Sequence, residues 1–222
     1  MAEIPSLEQL RKGSLLRTLI HAIWIVKDPS LAYEYGWVGS TYLVQNSMGG
    51  YGAVTFKASQ TIGAFFDVHS SRNPLRSGQI RPVVLFQGAS EEVLKLANEE
   101  TFRYMLKEYG GLVQPAITAA FWANKGILTA AEPWADVVKH GAYLVTEDVF
   151  VDLQEKLDRF CADYDLSSPQ MTLARDLFNQ KIGEPHEPFL LNGSQIQVLT
   201  SKGSQGEKES RELLEAIGII WP

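Results

Sequence analysis

"STYLVQNSMGGYGAVTF", residues 40–56, decides the fold. β-favouring residues run from Ser40 to Gln45 and again from Ala53 to Phe56. A stretch rich in glycine, asparagine and serine, Asn46 to Gly52, lies between them. The pattern reads as two antiparallel strands joined by a turn. A glycine-rich loop also invites a phosphate cradle, but such a cradle needs a helix whose amino-terminal amides face the phosphate, and here a second strand follows. Turn glycines explain the stretch.

Further β-rich runs at Thr61 to His69 and Ile80 to Phe86 extend this pair into an antiparallel meander that begins near Trp37. Before it, Ser6-Leu7-Glu8-Gln9 matches a capping box and opens a helix through Leu10, Leu16, Leu19, Ile20 and Ile23, with Gly13 a candidate break and Pro29 its end. After it, a helix is expected from Ser90 through Leu106 to Gly110-Gly111, a hairpin around Ala123-Asn124-Lys125-Gly126, and a short helix from Pro133 to Lys139. Helical spacing of Val149, Leu153, Leu157, Phe160 and Tyr164 predicts a helix from Thr146 to Tyr164; others follow from Ser168-Pro169 to Gly183 and from Glu207 to Ile217. Asn192-Gly193, set between Phe189-Leu190-Leu191 and Ser194-Gln195-Ile196, predicts a type I′ hairpin. The same residues match a glycosylation acceptor, which a cytoplasmic chain leaves unmodified. Ile219-Ile220-Trp221 is too apolar to stay free. The reading is α+β: one domain over 1–222, an antiparallel meander sheet flanked by helices, with candidate subdivision points near residues 110 and 145.

The chain has 222 residues, 45% of them hydrophobic, enough for a globular core. Apolar runs such as Ile23 to Val26 fall far short of a membrane span. The first residues lack the basic and apolar regions of a secretory signal, and Cys161 is the only cysteine, which excludes an internal disulfide and a cysteine zinc cage. Both point to the cytoplasm. Charge is uneven: residues 1–86 hold 8 basic and 5 acidic side chains, residues 87–222 hold 12 and 21, and 10 acidic face 4 basic between Glu147 and Glu187. That sign argues against a nucleic-acid binder. It suits a solvated acidic surface, or a docking face for a basic partner.

"GAFFDVHSSRNP", residues 63–74, gathers Asp67, His69, Ser70, Ser71 and Arg72. Asp67 and His69, two apart, share one face of a strand, where a carboxylate orients an imidazole and Ser70 is the nearby nucleophile of a hydrolase. The strand-Ser-helix elbow of hydrolases is absent, so the first expectation is a strand end and turn in which Arg72 pairs with Asp67, and the second a binding loop. His21, His140 and His186 are scattered singly, so neither metal nor cofactor is expected. Cys161, beside Phe160, reads as a structural thiol. Trp24, Trp37, Trp122, Trp134 and Trp221, with Tyr33, Tyr35, Tyr42 and Tyr51, supply core or line a ligand groove. Within Tyr33-Glu34-Tyr35-Gly36-Trp37, between helix and strand, Tyr35 and Trp37 are expected on an exposed loop.

In Gly36-Trp37-Val38-Gly39, Gly49-Gly50-Tyr51-Gly52-Ala53-Val54 and Gly63-Ala64-Phe65-Phe66-Asp67 the chain resembles bacterial immunity proteins that neutralise secreted polymorphic toxins. The resemblance implies a cytoplasmic, cysteine-poor, non-enzymatic inhibitor whose acidic surface meets a basic toxin domain, a nuclease suiting that charge best. It assigns no individual residue. From the residues themselves, Asp148, Asp152, Glu155 and Asp158 form a carboxylate row for the partner's Lys and Arg, with Tyr35, Trp37 and Arg72 as further contacts. Such a protein is a monomer or homodimer. A small-molecule binder lined by the aromatic residues, or a hydrolase using Asp67 and His69, are the competing classes.

Overall fold

The computed structural model describes residues 4–57, 60–77, 82–109 and 111–222. It is an α+β structure whose main sheet is antiparallel and flanked by helices. The chain divides into two compact units, one of Met1–Arg11 and Val38–Glu147, the other of Lys12–Trp37 and Asp148–Pro222.

In chain order the elements begin with α1 (Leu7–Ile25), a 3-10 turn (Pro29–Glu34) and strands β1 (Tyr35–Val38), β2 (Thr41–Gln45), β3 (Gly50–Phe56) and β4 (Gln60–Asp67). Short helices α2 (Pro74–Ser77) and α3 (Pro82–Leu85) precede α4 (Glu91–Glu99), strands β5 (Leu106–Tyr109), β6 (Leu112–Pro115), β7 (Ala119–Asn124) and β8 (Ile127–Thr129), and helices α5 (Trp134–Val137) and α6 (Tyr143–Thr146). The rest comprises α7 (Leu153–Tyr164), α8 (Ser168–Gly183), β9 (Phe189–Leu190), α9 (Gly193–Leu199), α10 (Glu207–Ala216) and β10 (Ile219–Ile220).

In the first unit the sheet runs β2-β3-β4-β7-β8, with β5 and β6 a separate hairpin. The stretch 40–56 forms the hairpin β2–β3, with Tyr42 opposite Val54. Its turn is held by Asn46, whose Oδ1 accepts the Gly50 N–H at 2.8 Å, and by Gly49 at φ +87°. Lys125 and Gly126, both at positive φ, close the β7–β8 hairpin. Both faces of the sheet are covered. Ala53, Ile62, Phe66 and Trp122 pack with Val93, Ala97, Phe102 and Met105 on one side. On the other, Gly141 lies so close to β4 that a Cβ there would fall 2.6 Å from Phe65 Cβ. Double burial explains why Thr61–Asp67 is a continuous buried run rather than an alternating one.

Several expectations are corrected here. The predicted strand Ile80 to Phe86 lies partly outside the described residues, and its remainder opens as α3, because Pro82 gives up no ladder bond at a helix start. The helix expected to Leu106 stops at Glu99; Thr101 leaves it to bond Thr55 Oγ1 at 2.8 Å, joining a buried threonine line that runs on to Thr41. Gly110, its expected stop, is not among the described residues.

The second unit is a helical cluster around Leu16, Leu19, Ile20, Leu157, Phe160, Leu177 and Leu214. The capping box is present: Gln9 N–H donates to Ser6 Oγ at 3.1 Å and Ser6 N–H to Gln9 Oε1 at 2.8 Å. Gly13 does not break α1. It admits the Asp148 carbonyl, 2.7 Å from where a Cβ would stand. The helix ends at Ile25, and Pro29 instead opens a 3-10 turn capped by Asp28. The predicted hairpin at Asn192-Gly193 is also corrected. Asn192, at φ −87°, caps α9 through a reciprocal box with Gln195, and Phe189-Leu190 pairs in parallel with Ile219-Ile220. That pairing, with Trp221 buried, gives the apolar carboxyl-terminal residues their place. The helix predicted from Thr146 starts at Leu153 instead, capped by Asp152.

Candidate functional site

The stretch 63–74 is a strand end and turn. Asp67 Oδ1 accepts the backbone N–H of His69 at 2.8 Å. His69 lies beyond β4, exposed, rather than on a shared strand face. Arg72 turns away from the expected pairing and donates to Glu132 Oε1 at 2.5 Å. Ser70, buried, accepts the Arg72 N–H at 3.1 Å and sits 2.8 Å from His140 Nδ1. His140 is brought there by a wide helical turn through Val138–Ala142, and its carbonyl accepts from Thr118 Oγ1 at 2.6 Å. Burial, then Arg72 and Lys139, lowers the His140 pKa. A neutral imidazole accepting the Ser70 hydroxyl proton is chemically a base beside a nucleophile. The hydroxyl is instead spent on the turn, bonded on both sides and away from solvent.

The carboxylate row separates. Asp148, only 2% exposed, accepts from Arg17 Nε at 2.8 Å and Nη2 at 2.5 Å, inside the second unit. Asp152 is occupied as the α7 cap through Glu155 N–H at 2.8 Å. Glu155 and Asp158 are exposed one helical turn apart. Arg17 also donates to Tyr164 Oη at 2.8 Å and lies over the Phe160 ring at 4.2 Å. Burial, the largest single influence, lowers its pKa, but Asp148 together with Tyr35 and Tyr164 more than offsets it and the net shift is upward. Burial raises the phenols of Tyr35 and Tyr164.

Tyr35 belongs to this buried network and also to a cleft of about 220 Å³ within the second unit. One wall is Ala32, Tyr35, Gly36 and Trp37; the other is the face of α10 carrying Glu209, Glu212, Leu213 and Ala216. Spacing of three, four and seven puts those four on one side of the helix. The aromatic wall is fixed from behind. Trp37 Nε1–H donates to Thr18 Oγ1 at 2.8 Å, Thr18 donates on to the Ser14 carbonyl at 2.7 Å, and the Tyr35 ring meets His21 edge-on at 4.7 Å. Glu209 holds Oε2 out of water's reach, where it meets no donor among the described residues. Among the described residues Glu212 has only a loose pairing with Lys208 at 3.9 Å, both side chains exposed.

No protein-family model, curated protein or solved structure matches the chain.

The cleft therefore stands on its own geometry. It joins Tyr35 and Trp37, expected on an exposed loop but found half-buried in β1, to Glu209 and Glu212, which the sequence reading missed. The period of α10 places both carboxylates on one helix face, but nothing in it shows which residues lie opposite. Among the described residues no cluster of His, Cys, Asp and Glu could hold a metal. Cys161 is half-buried, its thiol pKa raised by burial and then by Asp158.

Proposed function

We propose that this protein is a cytoplasmic binding protein of the immunity type, which occludes a basic toxin domain by receiving its cationic side chains on the second unit. The observation that carries the reading is the cleft, where two carboxylates stand beside pre-positioned aromatic rings. Aromatic anchors in a fixed wall supply affinity at low ordering cost, and carboxylates select positive charge. Glu155 and Asp158 on α7 add exposed negative charge to the same unit. The described residues contain no helix long and apolar enough to cross a membrane.

The test is capture of partners by the tagged protein from its native cells, at low and at moderate salt, followed by titration of any captured basic secreted domain. We expect one equivalent to abolish that domain's activity, and Glu209→Gln with Glu212→Gln to weaken capture. Cells shown to express candidate toxins that yield no protein partner would remove the reading.

A further inference from the structure

We infer that the cleft is an arginine subsite: a partner's arginine side chain enters along Leu213 and Ala216, and its guanidinium reaches Glu209 and Glu212 beside Tyr35 and Trp37. This rests on the binding reading above and names the chemistry that the site recognises.

The cleft is divided along the helix. Ala32, Leu213 and Ala216 offer apolar surface, whereas Glu209 and Glu212, at the amino-terminal end of the same face of α10, offer charge. A ligand that matches has a hydrocarbon stem and a cationic head. An entering guanidinium meets the carboxylates that Glu209 and Glu212 contribute to the lining, while Lys208, loosely paired and exposed, is readily displaced from Glu212.

Guanidinium is favoured over ammonium for two reasons. It is planar and stacks on aromatic faces, and the cleft has two rings in its wall. It is also less strongly hydrated than an ammonium, so a partly dry cleft strips less solvation from it. The wall is rigid enough to discriminate, because Trp37 is pinned through Thr18 and Tyr35 is packed on His21.

The experiment is an NMR titration of the full-length ¹⁵N-labelled protein, following the indole N–H of Trp37. The probes are N-acetyl-arginine amide, the corresponding lysine amide, and the citrulline amide as a neutral isostere. We expect the arginine probe to shift the Trp37 resonance saturably, the lysine probe to bind more weakly and the citrulline probe not to bind. Glu209→Gln should weaken arginine binding roughly tenfold, the loss of one charge-assisted hydrogen bond. Glu212→Gln serves if that variant does not fold. A silent Trp37 resonance, or equal responses to arginine and citrulline or to arginine and lysine, would overturn the inference. Saturable arginine binding in a protein that captures no partner would support the subsite while removing the inhibitor reading. Undiminished partner capture by Glu209→Gln, with the arginine probe silent, would do the reverse.

Discussion

His21 shows how much one side chain depends on what surrounds it. It is fully buried, its Nε2–H donates to the Leu31 carbonyl at 3.1 Å, and Nδ1 has no partner among the described residues. Burial, with a smaller push from Arg17, lowers its pKa from 6.5 to about 4. Between those values the unfolded chain binds a proton that the folded chain does not. Stability from this group is therefore complete above about pH 6.5 and falls as the pH drops towards 4. Urea unfolding at about pH 7.5 and 4.5 should show the wild type losing roughly 2 to 3 kcal/mol more than His21→Gln does. Parallel losses in the two proteins would mean that His21 is not buried neutral. In the sequence His21 was one of four scattered histidines, and a single position carries no sign of the rings packed around it.

At the scale of elements, spacing succeeded where local chemistry had one outcome and failed where it had two. Ser6 and Gln9 and the turn at Asn46 each have a single low-energy use, and each is found in it; at Ser168-Pro169 the helix starts one residue earlier than expected, with Ser167 as its cap and Pro169 second in the helix. Asn-Gly has more than one such use, since asparagine both enters tight turns and caps helices. Gln195 three residues later and parallel pairing of Phe189-Leu190 with β10 choose the cap. Replacing Asn192 by alanine should cost about 1 kcal/mol of stability in chemical denaturation, whereas Asn192→Asp should retain most of it. A hairpin turn would predict that Asn192→Gly is harmless or stabilising and that Asp and Ala are both worse. Asp148 makes the same point for the carboxylate row. Helical spacing put it in line with Asp152, Glu155 and Asp158, but α7 begins after it, and Arg17 from α1 takes its carboxylate.

For the whole molecule, charge divides as the units do. The second unit holds 15 acidic and 10 basic residues, the first 11 and 10, so the excess negative charge lies with the cleft and with Glu155 and Asp158. Association with a basic partner should therefore be salt-sensitive and controlled by the second unit. Stopped-flow measurement should show Glu155→Gln with Asp158→Asn slowing association while leaving dissociation nearly unchanged; Glu209→Gln should mainly speed dissociation. An association rate indifferent to salt would remove steering from the account. The sequence by itself determined the fold class, the leading hairpin, the helix starts at Ser6 and Ser90 and the sign of the surface, because each follows from period, turn chemistry or composition within a short window. Tertiary structure alone decided that Ser70 meets His140, that Asp148 is consumed by Arg17, and that Glu209 and Glu212 face Tyr35 and Trp37. Those pairings join residues 70 or more positions apart, and only the packing of the helices and sheet brings them within reach.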